Sequence, residues 1–403
     1  MAFLKQLPFL IALSSALFTT APAAITTVAD NATKNPLAGA FFSGFAMGDY
    51  LPALENGLVV FVGGTDPNPG NYFTNSTAGG AIASPITYRE VIPDEPSVPT
   101  PTVFSFGGFS LDGGNITFGA GGWENNTPGT KLVGGIYTKA AGSLTTIANT
   151  HVLIPNDLGS FRPDGFGPPS ADAGQVVFWG RGSSNPATSG IYVTTPAGLF
   201  AVADVSRTMP GITNKFPGGF GFFPCLDGGD VVFSAQTRPS GPVDGILKTS
   251  GGATNSLQTV ADSTFTVPGS AEQFGTMDHP VMSGGQIAFW GRTAGFLKAG
   301  IYTTVGGGLH VVANQNTAIP GGTGNFIAFD DSYGLCIKSN RVVFLGYGCD
   351  SQEGIYLWEA GQLSKLVDTN TVINGRSVRH VYFGKEAFDG TGVVFVANFY
   401  GNY

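Results

Sequence analysis

Hydrophobic and polar positions along the chain settle into a short recurring unit: an apolar residue, a Gly-containing turn, and a β-branched run ending on Phe. Its plainest copy is Asp227-Gly228-Gly229-Asp230-Val231-Val232-Phe233. The unit comes seven times, with its Phe at Phe61, Phe118, Phe178, Phe233, Phe289, Phe344 and Phe395. Intervals of 57, 60, 55, 56, 55 and 51 residues are too even for unrelated domains, so repetition overrides the two or three domains that 403 residues would otherwise suggest. Two further strand-like pieces follow each Phe. The first carries Gly135-Ile136-Tyr137, Gly190-Ile191-Tyr192, Gly300-Ile301-Tyr302 or Gly354-Ile355-Tyr356, with Gly245-Ile246-Leu247 a close variant and Gly70-Asn71-Tyr72 a looser one. The second ends in Asp or Asn, as in Thr259-Val260-Ala261-Asp262. A longer connection and an aromatic-rich strand then lead to the next Phe.

That connection keeps a fixed measure, with Pro six residues after the Asp or Asn and Phe six beyond that. The sets are Asp30/Pro36/Phe42, Asn149/Pro155/Phe161, Asp204/Pro210/Phe216, Asp262/Pro268/Phe274 and Asn314/Pro320/Phe326, with Asp368/Asn374/His380 a worn copy. The Pro-rich stretch 88–106 breaks the pattern. Asp or Asn closes an Asx turn on its own backbone, and Pro fixes φ in the turn that follows.

Four strands per repeat, seven times over, predict an all-β, seven-bladed β-propeller over residues 25–403. The long connection must cross from a blade's outer edge to the next blade's inner edge. This makes the aromatic strand innermost, the Phe strand second, Gly-Ile-Tyr third and the Asp/Asn strand outermost. Blades pack on both faces, which explains why Val-Val-Phe is continuously apolar. Gly401-Asn402-Tyr403 reads as a third strand beginning, and residues 25–30 as an outermost strand that completes the C-terminal blade and closes the ring without a free sheet edge.

The Phe unit resembles that of exported tandem-repeat proteins named for an NxxGxxAF pattern. Gly57, Gly114, Gly174, Gly229 and Gly285 stand four residues before their Phe, as that pattern asks. The Asn position instead holds Leu54, Leu111, Ala171, Leu226, Met282, Ile337 or Phe388, and only Ala288 matches the Ala. The resemblance implies an exported propeller and brings no catalytic residues.

Residues 1–24 read as a secretory leader: Lys5, an apolar run over 7–18, and a small-residue cleavage site at Ala21-Pro22-Ala23. The run falls short of the ~20 residues a spanning helix needs. The expectation is a secreted or periplasmic monomer without a membrane span. A formal charge of −8 and a pI near 4.9 exclude the basic surface that nucleic acid requires. Three cysteines are too few for a disulfide framework. Cys225 and Cys336 stand at equivalent places, eight residues before their Phe, and free thiols are expected.

The long-loop side of the blades carries Trp123, Trp179 with Arg181, Arg238, Trp290 with Arg292, and Tyr347. Such rings and guanidinium forks suit stacking on sugars and holding anionic groups. The plainer account is Trp packed between blades and Arg capping a strand end. The innermost strands carry Asp49, Asp164, Asp278, Asp330, Asp331 and Glu386, with His279 and Lys385. Oxygen ligands of this kind suit Ca²⁺, against the plainer account of solvated carboxylates. HExxH, GxSxG, P-loop and Asp-box motifs are missing, and His151, His279, His310 and His380 are scattered over different repeats. The resulting reading is a non-catalytic binding or surface-interaction module for a glycan or a protein. The alternatives are a carbohydrate-active hydrolase or lyase using a carboxylate pair such as Asp278 and Asp330, and a structural exported protein.

Overall fold

The computed structural model describes residues 9–15, 24–37, 42–45, 51–65, 68–76, 81–86, 93, 108–123, 132–155, 159–183, 188–205, 219–236, 245–250, 252, 256–295, 298–331 and 333–400. All described elements are β-strands, and they form the seven blade sheets of a β-propeller. Two compact units divide the blades. Arg89–Asn314 contains four, and Met1–Tyr88 with Gln315–Tyr403 contains three.

Within the four-blade unit, Phe109–Asp112, Asn115–Trp123, Leu132–Ala140 and Ser143–Asn149 lie side by side in chain order, all antiparallel. The Phe strand is therefore second and Gly-Ile-Tyr third, as expected. Phe118 pairs with Tyr137, Phe178 with Tyr192, Phe289 with Tyr302 and, in the other unit, Phe344 with Tyr356. All seven repeat Phe are at most 1% exposed, so each contributes a full apolar burial of roughly 1.5–3 kcal/mol. The outer strand slips register just after each Ile, between Ile136/Tyr137, Ile191/Tyr192, Ile246/Leu247, Ile301/Tyr302 and Ile355/Tyr356. Glycine permits this approach. A Cβ at Gly190 would stand 2.6 Å from the Ala203 carbonyl, and one at Gly300 2.9 Å from that of Ala313.

The Asx turns form as the residue types dictate. Oδ1 of Asp30, Asn149, Asp262 and Asp368 accepts the amide two residues on, at 2.8–3.1 Å. The connection Phe then lies edge-on to the third-strand Tyr: Phe161–Tyr192, Phe274–Tyr302 and Phe326–Tyr356 have centroids 4.9–5.1 Å apart.

Neighbouring blades are latched by side chains that the repeat pattern did not single out. Asp112 Oδ2 accepts the Gly174 amide (2.6 Å), Asp172 Oδ2 that of Gly228 (2.7 Å) and Asp227 Oδ2 that of Gly284 (2.7 Å). Eight residues before the Phe, Ser110 and Ser170 accept the amides of Ala171 and Leu226 from the following blade. Cys225 takes the same part, its Sγ accepting the Met282 amide at 3.4 Å. In the three-blade unit the Cys336 thiol lies 3.0 Å from the Gly384 carbonyl. None of the three cysteines is joined in a disulfide.

Three details differ from expectation. Phe61 pairs with Phe73, whose ring meets Phe42 edge-on at 4.9 Å, so the third-strand frame there is Asn71-Tyr72-Phe73, one residue later than Gly70-Asn71-Tyr72. In the last blade, Val378 donates to the Thr371 carbonyl (3.0 Å) as Phe274 does to Phe265 and Phe326 to Thr317 (both 3.1 Å). The hairpin joining Val372–Ile373 to Arg376–Tyr382 is shorter, so Val378 takes the Phe place and His380 is released from it. Finally, Ala24–Asp30 is the outermost strand of the closing blade, but the third place between it and Gly392–Phe399 belongs to Phe9–Ser15. That seven-residue apolar strand pairs with Gly392–Phe399 in unbroken register. Gly401-Asn402-Tyr403, residues 88–106 apart from Pro93, and Arg238 lie outside the described residues.

Burial pushes the phenols of Tyr302 and Tyr356 well above their ordinary 10.0. Up to about pH 10 both folded and unfolded chains keep these groups neutral. Above it the unfolded chain releases protons that the folded one retains, so stability falls as pH rises. The urea midpoint is expected to decline past pH ~10, less steeply in Tyr302→Phe. A midpoint that stays level to pH ~12 would contradict this.

Candidate functional site

Asp278 and His279 lie in the innermost strand Phe274–Ser283, where the ladder slips between Asp278 and Val281. Other blades break their innermost strand at this place, as between Phe161–Phe166 and Ser170–Asp172. Here the strand continues through a bulge with His279 at φ 51°. A side chain tolerates that region only when its surroundings enforce it. Asp278 does so: its Oδ1 accepts the Ser234 hydroxyl (2.5 Å) and the His279 amide (2.8 Å). The imidazole rests against Phe223 with centroids 4.7 Å apart, and its buried Nδ1 makes no hydrogen bond among the described residues. A Cβ at Gly221 would lie 2.8 Å from Asp278 Oδ1, so glycine there lets the carboxylate enter. Ser, Asp and His meet here, but in the wrong order for nucleophilic catalysis. The serine is 1% exposed and donates directly to the carboxylate, with no described imidazole at its oxygen.

A second cluster lies in the three-blade unit. Glu353 opens the third strand Glu353–Glu359, pairs with Tyr347 across the ladder, and is buried. Its Oε1 accepts the Val381 amide at 2.7 Å, and its Oε2 lies 3.0 Å from His380 Nδ1. His380 and Tyr382 are half-buried neighbours with ring centroids 6.3 Å apart. Burial raises the Tyr347 phenol above its usual range, and the negative charges of Asp330, Glu353 and Asp331 push it further. Tyr382 is raised by burial and by Glu353, against the opposing pull of Arg379. Asp330 Oδ2 accepts the amides of Gly334 (2.8 Å) and Tyr333 (3.3 Å), while Asp331 is exposed and Glu386 half-buried. Aromatic edges, carboxylates and an imidazole thus share one rim. Of this group the sequence had offered Tyr347, Asp330 and Asp331 but neither Glu353 nor Tyr382. The available signal was the two-residue shortening that frees His380.

The aromatic platforms fare differently. Trp179 and Trp290 are 8% and 6% exposed, and Trp179 packs on Phe222 at 4.5 Å, so neither indole presents an open face to a sugar. Arg292 lies over the Trp290 ring at 5.7 Å and reaches Thr276, while Arg181 is exposed. Trp123 belongs to the strand Asn115–Trp123, its side chain outside the described part. Among the described residues no group of three or more His, Cys, Asp or Glu side chains is placed to hold a metal ion. No described helix is long and apolar enough to cross a membrane, which leaves β-barrels aside.

Residues 14–352 match a family described as "Family of unknown function (DUF7453)". No curated protein matches the chain in sequence. Among solved structures, a puromycin hydrolase is similar at 11% identity and a TM-score of 0.51, over 91% of this chain and 53% of that one. A Mycobacterium tuberculosis puromycin-hydrolyzing peptidase is similar at 15% identity and a TM-score of 0.48, over 85% and 48%. A putative TolB from Agrobacterium tumefaciens is similar at 11% and 0.39, over 98% and 100%. The chain spans about half the length of the two hydrolases, and likeness at this identity concerns the fold alone.

Proposed function

This chain belongs to the DUF7453 family of unknown function, and from that premise we propose that it is an exported propeller acting as a non-catalytic binding module for a glycan or a protein. The occupation of its carboxylates carries the reading. Asp278 holds a serine hydroxyl and a backbone amide, Asp330 two backbone amides, and Glu353 an amide and an imidazole. A general acid or base needs an oxygen within reach of substrate and a proton to exchange. One oxygen each of Asp278 and Asp330, and both of Glu353, are engaged in shaping the chain. The rim of Tyr347, His380, Tyr382 and Asp331 offers mixed aromatic and polar contact instead, the composition of a recognition surface. The leader pattern in residues 1–24 and the likeness to exported NxxGxxAF-repeat proteins support export.

The test is a glycan array probed with the full chain, followed by assay of every bound glycan for new reducing ends or unsaturated products. Binding without turnover, weakened by Tyr347→Ala, is the expected result. Turnover abolished by Asp278→Asn or Asp330→Asn would replace this reading with the hydrolase or lyase. An array without binding would remove the glycan as ligand.

A further inference from the structure

We propose that Phe222 and Arg181 form a subsite for an acidic sugar, a uronate whose ring stacks on the phenyl and whose carboxylate meets the guanidinium. The subsite lies at the seam between the blade of residues 161–204 and the blade of residues 219–262. Both blades belong to the four-blade unit and the rim of Tyr347 to the other, so this inference goes beyond the reading above and stands or falls by itself.

Phe222 is 53% exposed, yet the chain that carries it is fixed on both sides. The innermost strand of its blade is interrupted between Gly219–Phe220 and Cys225–Asp227, and Phe222 stands in the gap. Before it, the Gly221 amide donates to the Ser234 carbonyl (3.0 Å), and a Cβ there would collide with Ser234 Oγ. After it, Phe223 rests on His279 and Pro224 is buried. A phenyl left half in water forgoes much of its burial energy, and an anchored backbone holds this one out. Behind it lies the Trp179 indole, tilted by 58° to the phenyl. The buried Nε1–H of that indole has no acceptor among the described residues, a rare state for a buried donor. A small rotation of the exposed phenyl opens the wedge of the tilted pair, and a hydroxyl of the stacked sugar entering there supplies the acceptor.

Arg181 is the next residue on the Trp179 side of the strand Gln175–Gly182, since side chains alternate in direction. It is exposed and makes no hydrogen bond or ion pair among the described residues. The innermost chain run of the same blade joins the two ends of the site. A Cβ at Gly165 would stand 2.5 Å from the Arg181 carbonyl, and one at Gly167 2.7 Å from that of Phe222. On this run Arg162 and Asp164 are exposed and paired through two bonds of 3.0 Å. They neutralise each other, so in a chain of formal charge −8 the cation left over among these residues is Arg181. Such a guanidinium takes a carboxylate in a bidentate fork, and the flat Arg162–Asp164 pair offers donors and acceptors to vicinal hydroxyls. An apolar ring face, hydroxyls and one carboxylate in a single small ligand describe a uronic acid. An acidic peptide brings the carboxylate but no hydroxylated ring to lie on the phenyl.

The test titrates the isotope-labelled full chain with trigalacturonate, trimannuronate and a hyaluronan tetrasaccharide. It follows the Trp179 indole N–H signal by NMR, assigned through Trp179→Phe. At least one uronate is expected to move that signal saturably, with its methyl ester binding about tenfold more weakly. Arg181→Gln should weaken binding about tenfold to a hundredfold, the worth of a hydrogen bond to a charged group. Phe222→Ala should weaken it about tenfold, and Phe222→Leu, which restores apolar bulk without a flat face, should not recover it. These substitutions fall on exposed side chains, which the fold bears. Tyr347→Ala should leave uronate binding intact. Unchanged affinity in Arg181→Gln, or equal binding of the methyl ester, would overturn the proposal. So would a triglutamate peptide bound as tightly as the sugars, or a signal that none of the three sugars moves, which would leave a water as the acceptor of the indole. Binding lost in Tyr347→Ala but kept in Arg181→Gln would overturn it as well, by assigning the sugar to the rim.

Discussion

Phe344→Ala is expected to destabilise the protein by about 3–5 kcal/mol, the range for deleting a large buried ring. Phe344 is fully buried among Phe326, Phe329 and Tyr356, each with its centroid 5.8 Å away. Phe329, Phe344 and Tyr356 belong to the innermost, second and third strands of one blade and Phe326 to the connection leading into it, so the cavity opens where three strands meet and cannot collapse by moving one of them. Urea denaturation of the two proteins measures the difference. A loss below about 1 kcal/mol would mean that the blade repacks freely, contrary to the fixed register of its ladders.

Glu353→Ala is the second large effect, expected at about 1–3 kcal/mol. The cost comes from what remains behind: the Val381 amide is left in a buried place without the acceptor that stood 2.7 Å away. Glu353→Gln retains an oxygen for that amide and should cost less than Glu353→Ala. Denaturation of both variants, with the His380 ring signals followed by NMR, separates loss of the amide's acceptor from loss of the imidazole contact. If Glu353→Gln proves as costly as Glu353→Ala, the imidazole contact matters more than the amide.

Blade number, strand order and the identity of the core were legible because a seven-fold Phe period leaves little freedom. Each Phe demands a partner across the ladder, and Gly-Ile-Tyr supplies it at a fixed distance. The frame at Asn71-Tyr72-Phe73 was misread because Phe73 does the work of Tyr while a chance Gly70 precedes it. His380 was misread for a related reason. A measure counted in residues assumes hairpins of constant length, and the shorter turn before Arg376 moves the buried position to Val378. The Glu353–His380 contact follows from that shift and leaves no local pattern. Phe9–Ser15 was hidden by its own composition, since an apolar run without Gly or Tyr carries the mark of a leader and not of a blade.

The aspartate latches in the four-blade unit point one way along the chain. Asp112 reaches forward to Gly174, Asp172 to Gly228 and Asp227 to Gly284. Each of these three turns is therefore caught by a carboxylate from the blade before it, whereas in the other unit the Gly57 amide is caught by Asp389, 332 residues further on, at 3.4 Å. During vectorial synthesis the turns at Gly174, Gly228 and Gly284 each follow their acceptor out of the ribosome. The Gly57 turn, by contrast, has its acceptor only once Asp389 has been made.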